Sequence, residues 1–226
     1  MFNVEINQNF GEQTEFLLLF IITLAIVWLA LVYYSYKKYG TKKTIMYFLP
    51  MILAALVIES VGVASGRYYY PGYMIYLSVV DNGAVPLIMI LAWSANLFLF
   101  MNMGKHFISR IYQKRNFLQI IFISTVAGLF GVCLDLIEDP IAHHNNWWVW
   151  TGSLAGIKFY EVPILNFVGW FFLIFFMSVA TLLIERSRFS DNRKVLISIT
   201  SISITGAIIF VAQGLVSKLF VAAGIA

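Results

Sequence analysis

The chain has 226 residues, of which 61% are hydrophobic and only 12% charged, with a mean hydropathy of +0.84. That balance excludes a soluble globular domain and reads as an all-α, polytopic transmembrane helical bundle. The net charge of +4 follows topology rather than a patch and is no evidence for nucleic acid, so no nucleic-acid partner is expected, and the single cysteine, Cys133, excludes an internal disulfide or a cysteine-cluster metal site.

The stretch from Met1 to Thr14 is polar and has no basic run before the first apolar segment, so the first span is expected to remain in the mature protein. Six apolar runs follow, at roughly 16–36, 45–66, 84–103, 117–138, 162–184 and 195–222, each close to the ~20 residues a bilayer core requires. Short basic turns alternate with longer, base-poor loops. The turns at 37–43, 104–116 and 185–194 hold twelve of the fifteen lysines and arginines, so the positive-inside rule puts them in the cytoplasm and both termini outside, as expected of a multi-pass protein of the cell membrane. The acids run the other way. Glu5, Glu12, Glu15, Asp81, Glu138, Asp139 and Glu161 fall at or beyond the outer interface, Glu59 and Asp135 within spans, and only Glu185 and Asp191 on the basic side. No internal repeat is evident, and a single integral-membrane domain over 1–226 is expected.

Four stretches carry chemistry. In the second span, Glu59 precedes Gly62, Gly66, Arg67, Tyr68 and Tyr70; the glycines suit close helix packing, and an intramembrane carboxyl is costly enough to need a function or a partner such as Arg67. Next, Asp81-Asn-Gly-Ala-Val-Pro86 is a turn followed by a helix start, ahead of Trp93 and Asn96. Asp81 is either an N-terminal cap or a site residue.

In the fourth span, Asp135, Glu138 and Asp139 lie at i, i+3 and i+4, on one helix face. Pro140 is expected to stop that helix before His143, His144, Trp147, Trp148 and Trp150. The indoles suit an interfacial belt or a pocket, and the histidine pair is a weak metal pattern, so no metal is expected. In the last of the four stretches, Pro163 opens a span containing Asn166 and Trp170. Glu59 lies about two helical turns below Gly66 and Asp135 one turn below Asp139, heights that allow a single outward-leaning pocket.

Together these stretches resemble the carotenoid-biosynthesis membrane proteins typified by bisanhydrobacterioruberin hydratase and the carotenoid 1,2-hydratases. The likeness rests on the Glu-x-x-Gly-x-x-x-Gly-x-Tyr-x-Tyr stretch at 59–70, Val85-Pro86 with Trp93, and Asp135-x-x-x-Asp139-Pro140 with Trp148-x-Trp150. It rests also on Val162-Pro163-x-x-Asn166-Phe-x-Gly169-Trp170. It covers about 59–170, within a family-like core of 45–185, and owes little to the first span or the last 40 residues. Both Val-Pro elements look like Gly-Val-Pro in the family but read Ala84-Val-Pro and Glu161-Val-Pro here.

The resemblance implies a cofactor-independent hydratase that adds water to the terminal C1–C2 double bond of an acyclic carotenoid or related polyprenyl lipid. Such chemistry needs a positioned carboxylic acid, a dry aromatic site for the tertiary cation, and a carboxylate to deprotonate water. Asp135 and Asp139 are the expected catalytic pair, with Glu59 as third carboxylate and Arg67 holding one of them ionised. Arg67, Tyr68, Tyr70, Asp81, Trp93, Glu138, Trp148, Trp150, Asn166 and Trp170 are expected to line the substrate site. Two other classes compete: a proton or cation carrier, which needs a polar path to the basic side, and a non-catalytic pigment- or lipid-binding subunit.

Overall fold

The computed structural model describes residues 2–6, 15–151 and 156–224; Glu12 lies outside them. Six helices, each long and apolar enough to cross a membrane, make up most of the chain: α1 (Glu15–Tyr39), α2 (Thr41–Ala64), α3 (Leu87–Ile111), α4 (Phe117–His144), α5 (Ile164–Arg186) and α6 (Asp191–Ala222). The spans are as expected in number and order, but several are longer. Lys37, Lys38, Lys42, Lys43, Lys105 and Arg110 all extend helices rather than forming loops, and α1 passes to α2 through Gly40 alone, at φ 79°. Glu15 in the first turn of α1 and Lys37 and Lys38 in its last complement the helix dipole.

The two long loops lie at one end of the bundle and carry short strands. β1 (Asn3–Ile6), β3 (Ile75–Ser78) and β4 (Val85–Pro86) form one antiparallel sheet. β2 (Tyr68–Tyr69) pairs with β5 (Val149–Trp150), so Tyr68 stands opposite Trp150 and the α2–α3 loop is clipped to the α4–α5 loop. Thr151 extends the clip by donating from its amide to the Arg67 carbonyl at 3.1 Å. β6 (Lys158–Phe159) and β7 (Val162–Pro163) form a hairpin. Each Val-Pro pair is thus a strand leading straight into a helix, with Pro86 and Pro163 as the N-caps of α3 and α5.

Pro140 does not stop α4. The helix loses the hydrogen bond that proline cannot donate, yet runs on to His144. Its last turn is held by the Asn145 amide and side chain, which donate to the Ile141 carbonyl at 3.0 and 2.7 Å, and by the Trp147 amide, which donates to Ala142 at 2.8 Å.

The principal helix contacts are α4 with α5, α2 with α6 and α3 with α4, while α1 leans on α2 and α3 and buries only Leu17 and Ser35. Leu97, Met101, Ile174 and Met177 are buried in mid-bundle and divide the strand-capped end from the basic end.

Candidate active site

Glu59 is buried in the upper part of α2, and three donors converge on it. Trp93 Nε1 donates to Oε1 at 2.7 Å, while the Tyr68 and Tyr70 hydroxyls donate to Oε2 at 2.8 and 2.7 Å. The chain reaches back over Glu59 because α2 ends at Ser65 and turns through Gly66 at φ 71°, a conformation that favours glycine. The Gly66 and Arg67 amides close the turn on the Val63 and Gly62 carbonyls. A side chain at Gly62 would collide with the Tyr68 hydroxyl. Gly62 therefore serves this hydrogen bond rather than close helix packing. Burial, with the neighbouring Glu59 as the next cause, holds the Tyr68 and Tyr70 phenols well above the usual tyrosine range, so both remain O–H donors.

Across the cavity, α4 presents Asp135 and Asp139, both almost fully buried at 1% and 5% exposure. Asn166 of α5 joins them, its Nδ2 donating to Asp135 Oδ2 at 2.9 Å and to Asp139 Oδ2 at 2.7 Å. The second Asp139 oxygen accepts from Trp148 Nε1 at 3.1 Å. One amide nitrogen thus spans two carboxyl groups on successive turns, a separation that follows from their i, i+4 spacing.

The cavity between these clusters measures about 90 Å³, room for several waters. Glu59, Glu138 and Asp139 line it, as do Arg67, Tyr68, Tyr70, Trp93, Trp148, Trp150, Asn166 and Trp170. Trp93 and Trp170 stack at 4.1 Å with an interplanar angle of 10°, forming a flat wall. Glu138 makes no hydrogen bond or ion pair among the described residues, and the buried indole N–H of Trp150 is likewise unpaired.

Several sequence expectations are corrected. Asp135 does not line the cavity but stands behind Asp139. Asp81 lies on an exposed turn, away from the cavity, and does not cap α3, whose N-cap is Pro86. Arg67 pairs with no carboxylate among the described residues. Its guanidinium donates to Gln213 Oε1 at 3.4 Å and to the Phe210 carbonyl at 3.2 Å, and lies 3.6 Å from the centre of the Phe210 ring. Burial pulls that guanidinium down from its ordinary value, against an opposing effect of Tyr68, though arginine is basic enough to stay charged.

The tryptophans divide their work: Trp147 stacks on Phe20 at 4.6 Å, while Trp148 and Trp150 face the cavity. His143 accepts the Trp150 amide at its Nδ1, 3.2 Å away, and so braces β5. Glu161 is exposed, pairs with Lys158 at 3.2 Å, and stands clear of the cavity. With Tyr160 it forms the two-residue hairpin turn, at φ 65° and 47°, a geometry that usually recruits glycine or asparagine.

The sequence reading missed the wall supplied by α6: Gly206, Ile209, Phe210 and Gln213. Gln213 lies in the C-terminal half of α6, at the strand-capped end of the bundle, where its Nε2 donates to the Leu165 carbonyl at 3.0 Å. A side chain at Gly169 would occupy the position of that amide. A glutamine within the sixth apolar span was the available signal.

The family described as carotenoid biosynthesis protein matches residues 16–226, nearly the whole chain and well beyond the stretch that carries the motifs, and the protein belongs to that family. No curated protein and no solved structure matches it significantly.

Proposed function

We propose that this member of the carotenoid biosynthesis family is a membrane-embedded hydratase, adding water to the terminal C1–C2 double bond of an acyclic carotenoid or related polyprenyl end group. The observation that carries the reading is the Asn166-bridged Asp135/Asp139 pair, facing Glu59 across an aromatic cavity. Two carboxyl groups joined by one amide, with no cation paired to them among the described residues, are best accommodated by sharing a proton. Asp139 lines the cavity and is the donor, while Asp135 and Asn166 position it. Proton transfer to C2 leaves a tertiary cation at C1, which the stacked Trp93 and Trp170 and the Glu59 carboxylate stabilise.

Water then bonds to C1 and gives its proton to Glu138, the lining carboxylate left without a hydrogen bond. That proton returns to the neighbouring aspartate pair. The sum is alkene plus water giving a tertiary alcohol, with no change of oxidation state and no cofactor step. The basic turns favour an orientation in which the cavity opens toward the outer half of the cell membrane, with both termini outside.

The buried apolar side chains in mid-bundle, including Leu97, Met101, Ile174 and Met177, argue against a proton or cation path between the two ends. The donors gathered on Glu59 and Asp139 exceed what a passive pigment platform needs.

The test is expression in a host that accumulates an acyclic carotenoid, with pigments compared by mass spectrometry. A pigment heavier by one water, absent with empty vector and with Asp139→Asn, is expected. Conversion by Asp139→Asn at the wild-type level, or unchanged pigments despite good membrane expression, would overturn the reading.

A further inference from the structure

A second cavity, of about 820 Å³, opens at the opposite end of the bundle. Lys38 of α1, Lys43 of α2, Lys105 of α3, Arg115 of the α3–α4 loop and Arg186 of α5 all line it, against one acid, Glu185. Their partners are limited. Lys105 pairs with Glu185 at 2.7 Å, Lys38 donates to the Tyr34 hydroxyl at 2.8 Å, and Arg186 is fixed by the Asn116 carbonyl and by Gln119 Oε1, at 3.1 and 2.6 Å. Lys43 and Arg115 make no hydrogen bond or ion pair among the described residues, although Lys43 lies 5.9 Å from the Tyr39 ring.

The positive-inside rule asks for cations flanking the spans, not for their convergence. Arg188, on the neighbouring α5–α6 turn, and Arg193, at the start of α6, satisfy that rule while exposed and outside the cavity. Five cations from five separate elements face one concavity with a single acid among them, an excess of positive potential that attracts an anion. The cavity volume falls within the range of small-molecule sites. Lysine and arginine together suit the acceptor-only oxygens of a phosphate, and Tyr34, Ile123 and Leu182 supply apolar lining for the carbon skeleton behind it.

We propose that this cavity binds a phosphate-bearing anion, the chemistry shared by an anionic lipid headgroup and a soluble diphosphate. The site is independent of the acidic cavity and of the reaction assigned to it.

The full chain, purified in neutral detergent, is titrated with short-chain phosphatidylglycerol, with phosphatidylcholine as the zwitterionic control, and with inorganic diphosphate at constant ionic strength. Saturable binding of phosphatidylglycerol over phosphatidylcholine identifies the lipid source, and saturable binding of diphosphate the soluble one. Lys43→Gln with Arg115→Gln is expected to weaken whichever binds by about tenfold, the loss of two charge-assisted contacts. Arg188→Gln with Arg193→Gln, which removes the same charge outside the cavity, is expected to change it less than about twofold. Arg115→Gln alone, on an exposed loop, carries the same test if the double variant fails to fold. Absence of saturable binding by either probe, or equal weakening by the two charge-matched variants, would overturn the proposal.

Discussion

The two ends of the bundle handle buried charge in opposite ways. At the strand-capped end, Glu59, Asp135 and Asp139 are surrounded by neutral donors from tryptophan, tyrosine and asparagine, and the nearby cation, Arg67, is held by α6. At the basic end, the partly buried Glu185 is matched directly by Lys105 at 2.7 Å. An ion pair fixes a carboxylate as the anion, whereas two carboxyl groups bridged by one neutral amide, with no cation paired to them among the described residues, can hold a proton between them. The first arrangement suits assembly, and the second suits the acid–base role proposed above.

Asp139→Asn is the sharpest way to break the contrast. It keeps the shape of the site but removes the acid, and hydration is expected to fall by about 10²–10⁴-fold, the usual range for a lost general acid, with membrane expression unchanged. Product formation per milligram of membrane protein checks it. Tyr70→Phe removes one 2.7 Å donor from Glu59 while leaving the ring, and about a tenfold loss is expected. Because both phenols are held above the usual tyrosine range, the wild-type rate should show no alkaline fall from phenol ionisation below about pH 10.

Glu185→Gln tests the opposite end. It should leave hydration intact while lowering stability by about 1–3 kcal/mol, read as a lower Tm in detergent. The smallest expected effect is at the hairpin, where Glu161→Gly relieves a left-handed side-chain residue and should raise stability by about 1 kcal/mol or less without changing activity.

Much of this contrast was legible in the sequence. Runs of apolar residues and alternating basic turns marked the six helices, and the i, i+4 spacing of Asp135 and Asp139 put both on one face. What the sequence hid depends on pairing between distant segments. The β2–β5 clip sets Tyr68 against Trp150, and no local pattern in either loop announces it. Arg67 looked like a partner for the acids because it is close in sequence, yet its partners lie more than 140 residues away, on α6. Glu161 stands where the family-like motif has glycine, and nothing in the local sequence shows that it occupies a two-residue hairpin turn, exposed and clear of the cavity.

The tether from Arg67 to Phe210 and Gln213 also bears on how the protein is made. Arg67, just beyond the second helix, and the acids of α2 and α4 wait for the sixth helix before their cavity has its α6 wall, so the site can close only once α6 is in place. A chain released before α6 would still hold both acid clusters but would open them sideways to lipid. Completion of the acidic chamber thus depends on α6 joining the bundle.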